Sequence, residues 1–424
     1  MRPKLRAIEA HLVQHGGQPA IVLSDPLWLS DQAVFLRPQL ALLLELCDGT
    51  RDESELRAAL AVRAGLRLTP TALEQILVQL DDALLLDSER FAQAYTAALQ
   101  EFRAAPWRPP GLAGINYPAD PDELRDTLQG YMDSAPFGLS PLTTLRTGRR
   151  TKPDTGQQTD DRPIRGLVSP HIDYKRGGPV YAQVWDRVAE AVREAEIAII
   201  FGTDHLSEEE GLTLTRQHYA TPWGMLPTAR HIVDAVAQAM GDEVAFRHEL
   251  HHRVEHSIEL AAVWLHYLLR DRGDRPCELV PILCGPFQRF VTGDSQPGQE
   301  AMMSAAIEAL RAATASSRTI VVAAGDLAHV GPAFGDSYPI DFVGRARLTA
   351  ADQQLMATIC TGDAEALFQG VKEEQDRRRI CGLPPIYLTL RCLDGAKGEI
   401  SGYMQCPADQ RGTSLVSICG IVLR

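Results

Sequence analysis

Three apolar runs in this chain each end on a turn bearing histidine or aspartate, and this limits the fold more than any other feature. IRGLVSP leads into His171-Ile172-Asp173-Tyr174, IAIIF into Gly202-Thr203-Asp204-His205, and TIVVAA into Gly325-Asp326-Leu327-Ala328-His329. The runs are unbroken by polar residues, as in strands buried on both faces, and helical stretches such as YAQVWDRVAEAVREA and IELAAVWLHYLL separate them. CELVPILCG and TSLVSICGIVL supply further strands. The pattern predicts an α/β fold with a central mixed sheet covered by helices on both faces. Ligands of such sheets bind outside the carboxyl ends of the strands, so the fold itself would gather the three turns at one edge.

A chain of 424 residues is long for one core, and its composition divides it. Residues 1–17 read as a loose tail. Residues 18–105 read as a small winged-helix-like α+β domain. In it, AIVLSD is a strand, helices cover 35–46, 54–64 and 69–80, and ALLLDSERF is a closing strand or wing. The proline-rich PWRPPG at 106–111 bridges to a larger domain over 106–424. There NYPAD caps a helix, PDELRDTLQGYMDSA, and the polar, aperiodic stretch 141–163 reads as a disordered insert.

The formal net charge of −13 argues against nucleic-acid binding. No apolar run approaches the roughly 20 residues needed to span a bilayer, and the N-terminus lacks the apolar segment of a secretory signal. The eight cysteines are scattered without a CxxC pair, which favours reduced thiols and a cytoplasmic setting.

Imidazole is the commonest protein ligand for iron, copper and zinc. His171 and His205, each at a strand end, are the expected metal ligands, with Asp173, Asp204, Asp326 and His329 competing for a third place. Two histidines and a carboxylate would leave open positions, suiting non-haem iron(II) or another divalent transition metal. Val254-Glu255-His256-Ser257-Ile258-Glu259 opens the long apolar helix and places His256 where it can act on an anionic intermediate. His256, Asp326 and His329 are therefore the candidate catalytic groups. Asp173, Tyr174, Asp204, Glu259 and Trp223, the last in the Thr221-Pro222-Trp223-Gly224 turn, are the candidate substrate contacts. His248, His251 and His252 form a loop cluster read as structural, and His218 and His231 flank the Trp223 turn. Cys381 sits at a helix start, where the helix N-terminus could activate its thiol, although buried packing is its expected use.

NYPADPDEL, SPHIDYKRGGPVYA, IIFGTDHL, TPWG, VEHSIE, VPILCG, AGDLAHVG and RRICGLPPI follow one another from about residue 114 to the C-terminus. In this order they resemble the Memo-like family, whose bacterial members include the AmmeMemoRadiSam system protein B group. The N-terminal unit resembles the PqqD-like extension of some of those proteins. The family is similar in fold to class III extradiol dioxygenases, which hold iron(II) with two histidines and a glutamate. The resemblance implies His171 and His205 as metal ligands and His256 as the acid–base histidine. It also implies a third ligand in an SDxCH or SDxSH motif. Here that place falls on Ala328, which has no donor, leaving the third position to Asp326 or His329.

Two functions are then expected. One is a metal-binding protein, with iron or copper, acting on a small-molecule or peptide ligand. It would work in a redox or modification pathway beside radical-SAM and AMMECR-type proteins, as the resemblance implies. The alternative is a non-catalytic peptide-binding scaffold with a vestigial dioxygenase-like cleft.

Overall fold

The computed structural model describes residues 2–134, 162–273 and 276–424. The chain forms two compact units, Met1–Ala105 and Pro106–Arg424. Of the stretch read as a disordered insert, residues 141–161 lie outside the described residues.

In the first unit, strands β1 (Glu9–His15) and β2 (Gln18–Ser24) form an antiparallel hairpin, and β3 (Val34–Leu36) pairs with β2. Residues 9–15 are thus strand, not the tail expected. The turn is Gly16-Gly17, with φ of 59° and 75°, the two left-handed positions that a two-residue hairpin connection requires. The helix expected over 35–46 is divided into β3, a 3₁₀ turn at Pro38–Leu40 and a short helix, Ala41–Leu46. Pro38 is the cause: it forces Arg37 into extended backbone and starts the helix afresh. Helices Glu53–Ala64 and Pro70–Asp82 begin on a capping box between Asp52 and Glu55 and on the Thr69 hydroxyl. Where a closing wing was expected, Leu86 makes only an isolated bridge to Leu5. A third long helix, Glu89–Ala104, then starts on the Ser88 cap. Leu23, Leu43, Leu56, Leu73 and Leu80 are fully buried at the centre of this unit.

The second unit opens with helix Pro121–Ser134 and, among the described residues, has ten strands. These are β4 (Gly166–Ser169), β5 (Ile197–Thr203), β6 (Leu212–Leu214), β7 (Tyr219–Thr221), β8 (Gly224–Leu226), β9 (Glu278–Cys284), β10 (Thr319–Ala324), β11 (His329–Val330), β12 (Gly398–Pro407) and β13 (Leu415–Leu423). Among the described residues, eight make one mixed sheet, in order β11-β13-β4-β10-β5-β9-β6, with β12 on β13. The inner strands β4, β10, β5 and β9 run parallel. Antiparallel β13 and β6 flank them. The small β7–β8 hairpin carries the Trp223 turn.

Burial on both faces explains the unbroken apolar runs. In β5, Ile197, Ile199 and Phe201 face helices Arg230–Met240, Ala301–Thr314 and Leu383–Leu393. Ala198 and Ile200 face helices Tyr174–Arg187 and Ser257–Leu269. No helix among the described residues is long and apolar enough to cross a membrane.

Two close approaches fix the carboxyl edge of the sheet. A Cβ on Gly202 would lie 2.6 Å from Ser257 Oγ and from Ile258 Cγ1, so only glycine lets the Ser257–Leu269 helix start against the end of β5. A Cβ on Gly325 would meet Gly382 Cα at 2.5 Å, and one on Gly382 would meet the Asp326 carbonyl at 2.5 Å. These facing glycines bring residues 381–382 against the end of β10.

Candidate metal centre

At this edge the rings of His171, His205 and His256 form a triangle with centroid separations of 5.0, 5.2 and 4.7 Å. His171, which follows β4, is only 2 % exposed and forms the floor. Its amide donates to Asp326 Oδ1 at 2.9 Å and its Nδ1 to the Ala324 carbonyl at 3.1 Å. A carbonyl can only accept, so the proton is on Nδ1 and the Nε2 lone pair is free.

His205 and His256 form the wall, each about one-third exposed at the side chain. Buried Glu255 holds both. It accepts from His205 Nδ1 at 3.1 Å, from His256 Nδ1 at 3.1 Å and from the amides of His205, His256 and Ser257 at 3.0, 2.8 and 2.9 Å. The two imidazoles stack at 17°, with Nδ1 of each on Glu255 and Nε2 turned toward the centre. Burial opposes charge on His205, but the Glu255 carboxylate and a hydrogen bond with the Cys381 sulfur outweigh it and hold the imidazole well above its ordinary range. His171 is driven well below that range by burial and by its two histidine neighbours. Burial raises Glu255 too, but His205 and His256 overcome it and keep the carboxylate ionised.

Cys381, expected from the sequence to be a packed thiol and not a ligand, belongs to this centre. Its Sγ stands 3.2 Å from His171 Nε2, and its carbonyl accepts from Thr203 Oγ1 at 3.0 Å. Donor atoms of His171, His205 and Cys381 lie within 4.8 Å of one another, as do those of His205, Glu255 and His256. Either group could hold a metal ion. The loop before Cys381 holds Gln375, Asp376 and Arg379 at φ of 55°, 45° and 52°, left-handed conformations that cost non-glycine residues energy and often mark functional sites. Only a lone cysteine in RRICGLPPI signalled it.

Ala328, at the motif position implied for a third ligand, does not face the centre. It is fully buried against Leu348 and Leu415, and its amide and carbonyl both bond Ser417. Asp326 is at the centre, with Oδ2 3.8 Å from His171 Nε2. Burial outweighs its bonds to the His171 and Ile172 amides and pushes the carboxyl up to about 6. His329 is engaged elsewhere: its Nδ1 donates to the Arg379 carbonyl at 3.0 Å, its ring packs on Phe334, and burial lowers it to about 4.

The expected substrate contacts have other tasks. Glu259 is fully buried and accepts from Arg108, the Gly111 and Leu112 amides and the Tyr117 hydroxyl, clamping residues 108–117. Tyr174 is buried and donates to the Leu260 carbonyl. Asp204 borders the cleft, but its carboxylate caps the Leu206 and Ser207 amides and pairs with His251 Nδ1. Asp173 caps helix Tyr174–Arg187 and pairs with Arg176. Trp223 bonds the Pro121 carbonyl and packs on His266 and Tyr267. His252 is locked between Tyr219 and the Thr213 carbonyl, His218 accepts from the Thr228 amide, His248 stacks on His251, and His231 is exposed.

Beside His205 and Cys381 opens a cleft of about 300 Å³, walled by Phe287, Val291, Ile380 and Leu383, with Arg379 on its rim. The fold and centre therefore define an α/β protein with a histidine–cysteine cluster at a sheet edge, suited to a metal. Residues 108–422 match the model of the Memo-like protein family, and the chain belongs to that family. A MEMO1 family protein of Aquifex aeolicus is 24 % identical over 428 residues, covering all of both chains. One from Methanosarcina barkeri is 24 % identical over 70 % of this chain and 91 % of its own. Another, from Methanococcus maripaludis strain C5, is 30 % identical over 44 % of this chain and 59 % of its own.

Proposed function

We propose that this protein binds a transition metal through His171 Nε2, His205 Nε2 and Cys381 Sγ and acts on a small molecule held in the adjoining cleft. The observation that carries this reading is the orientation of the three groups. Both Nδ1 atoms are tied to acceptors, so both Nε2 atoms are left to face the one sulfur, and a metal would displace any proton that His205 Nε2 shares with it. Two imidazoles and a thiolate suit iron, copper or zinc, and the first two are favoured for a redox role. Bound there, such a metal would supply Lewis-acid or one-electron chemistry. The donor set is not the two-histidine, one-carboxylate set of the extradiol dioxygenases, because its third member is sulfur.

The chain's own residues supply the rest. His256, held by Glu255, presents Nε2 as an acid–base group 4.7 Å from the His205 ring, centroid to centroid. Asp326 can hold or release a proton behind His171. The apolar wall of Phe287, Val291 and Leu383 excludes water and takes the body of the ligand. A cytoplasmic setting belongs to the same reading, since the cysteines are free thiols.

The test is titration of chelator-stripped protein with iron(II), copper and zinc, followed by oxygen uptake of the iron-loaded form with catechols. One tight site that disappears in His171→Ala and Cys381→Ser supports the reading. The absence of a tight site for all three metals overturns it. Oxygen uptake with catechols would place the reaction with the extradiol enzymes despite the sulfur ligand; a flat trace is expected.

A further inference from the structure

We propose that Glu255 is the positioning residue of this centre, a single carboxylate that sets the tautomer and direction of both the ligand His205 and the acid–base His256. Glu255 lies just before the Ser257–Leu269 helix, 3 % exposed, and its carboxylate receives five N–H donors. Oε2 takes the His205 amide at 3.0 Å and His205 Nδ1 at 3.1 Å. Oε1 takes the amides of His256 and Ser257 at 2.8 and 2.9 Å and His256 Nδ1 at 3.1 Å. His205 Nδ1 also reaches Oε1, at 3.2 Å, so the two oxygens together hold both histidines at backbone and ring.

Only an ionised carboxylate can do this, since both oxygens must accept and neither may carry hydrogen. An amide of the same shape has one acceptor. Whichever way it turned, its NH₂ would face either the two His205 donors or the three donors of His256 and Ser257. One imidazole would then have to turn over or carry its proton on Nε2 instead of Nδ1, so that Nε2 could no longer serve as a ligand atom. Because the same carboxylate governs both rings, the ligand and the proton-transfer group cannot be misplaced independently. Their parallel stacking at 17° reflects that shared anchor.

This proposal rests on the metal reading above for one of its two measurements only. The first is long-range ¹⁵N–¹H correlation of the histidine rings in the metal-free full chain, assigned with His205→Ala and His256→Ala. Nδ1 of both rings is expected to carry a proton, and at least one ring is expected to lose it in Glu255→Gln. The second is iron(II) affinity by chelator competition, expected to fall roughly 10–100-fold in Glu255→Gln, as for other residues that orient a ligand histidine. Glu255→Asp keeps two acceptors, drawn back by one methylene, and should retain both tautomers with a smaller loss of affinity. If Glu255→Gln does not fold, a weakened Glu255→Asp supports the proposal, and wild-type affinity in that variant overturns it. Unchanged tautomers and affinity in a folded Glu255→Gln also overturn it, leaving the metal reading intact. Altered tautomers in a protein that never binds iron would support the positioning role while removing the metal reading.

Discussion

Cys381 Sγ and His171 Nε2 stand 3.2 Å apart although 210 residues separate them. The contact depends on Gly325 and Gly382, whose bare backbones meet where any side chain would collide. It turns a pair of strand-end histidines into a three-donor cluster.

Replacing that sulfur should therefore weaken metal binding more than removal of an orienting partner does. For Cys381→Ser we expect an affinity loss beyond the roughly 10–100-fold typical of outer-sphere changes. Chelator competition measures it. Wild-type affinity would show that the thiol is only packing.

Ala328→Ser restores the hydroxyl that the motif resemblance implied, yet position 328 is sealed against Leu348 and Leu415. Metal stoichiometry and affinity should not change, while burial of an extra hydroxyl lowers stability by about 1–2 kcal/mol. A tighter metal site in this variant would contradict the placement.

Much of this was legible in the sequence, and the misses have physical causes. The strand ends put His171 and His205 together because β4 and β5 both adjoin β10, unbroken apolar runs announce such strands, and Gly202 lets the helix that follows His256 start against β5. Cys381 was hidden because nothing local separates a ligand cysteine from a packed one; its partners come from strands far away in sequence. Glu255 and Glu259 stand four apart at one helix start, but only tertiary packing assigns one to histidines and the other to Arg108. The β1–β2 hairpin was readable from Gly16-Gly17 between two strand-length segments, and polarity had masked it: β1 is largely exposed.

Arg108 and Glu259 form an ion pair with side chains 0 % and 1 % exposed. Arg108→Met would leave Glu259 buried without its guanidinium, with a cost of about 3–5 kcal/mol. Urea unfolding of the full chain, followed at the second unit, reports it. A loss below about 1 kcal/mol would mean that the Tyr117 hydroxyl and the amides suffice.

His252 gives the second unit a pH dependence. Burial lowers its imidazole to about 4, and its Nδ1 already accepts from Tyr219. Above the unfolded value of 6.5 both states are neutral and the stability is complete. As pH falls from 6.5 towards 4 the unfolded chain takes the proton first, so stability declines, by up to roughly 3 kcal/mol from this group. His266, also lowered to about 4 by burial, acts in the same direction. Asp326, raised to about 6, has the opposite slope between its unfolded and folded values. The readout is therefore the difference between wild type and His252→Gln, whose unfolding midpoint should fall less between pH 7 and 4.5. Identical slopes would contradict the assignment.

The most direct test of the metal centre is the metal content of the full chain purified without chelator, compared with the His171→Ala, His205→Ala double variant. About one equivalent of a transition metal in the wild type, and a negligible amount in a folded double variant, is the expected result. Equal and negligible metal in both proteins would contradict it.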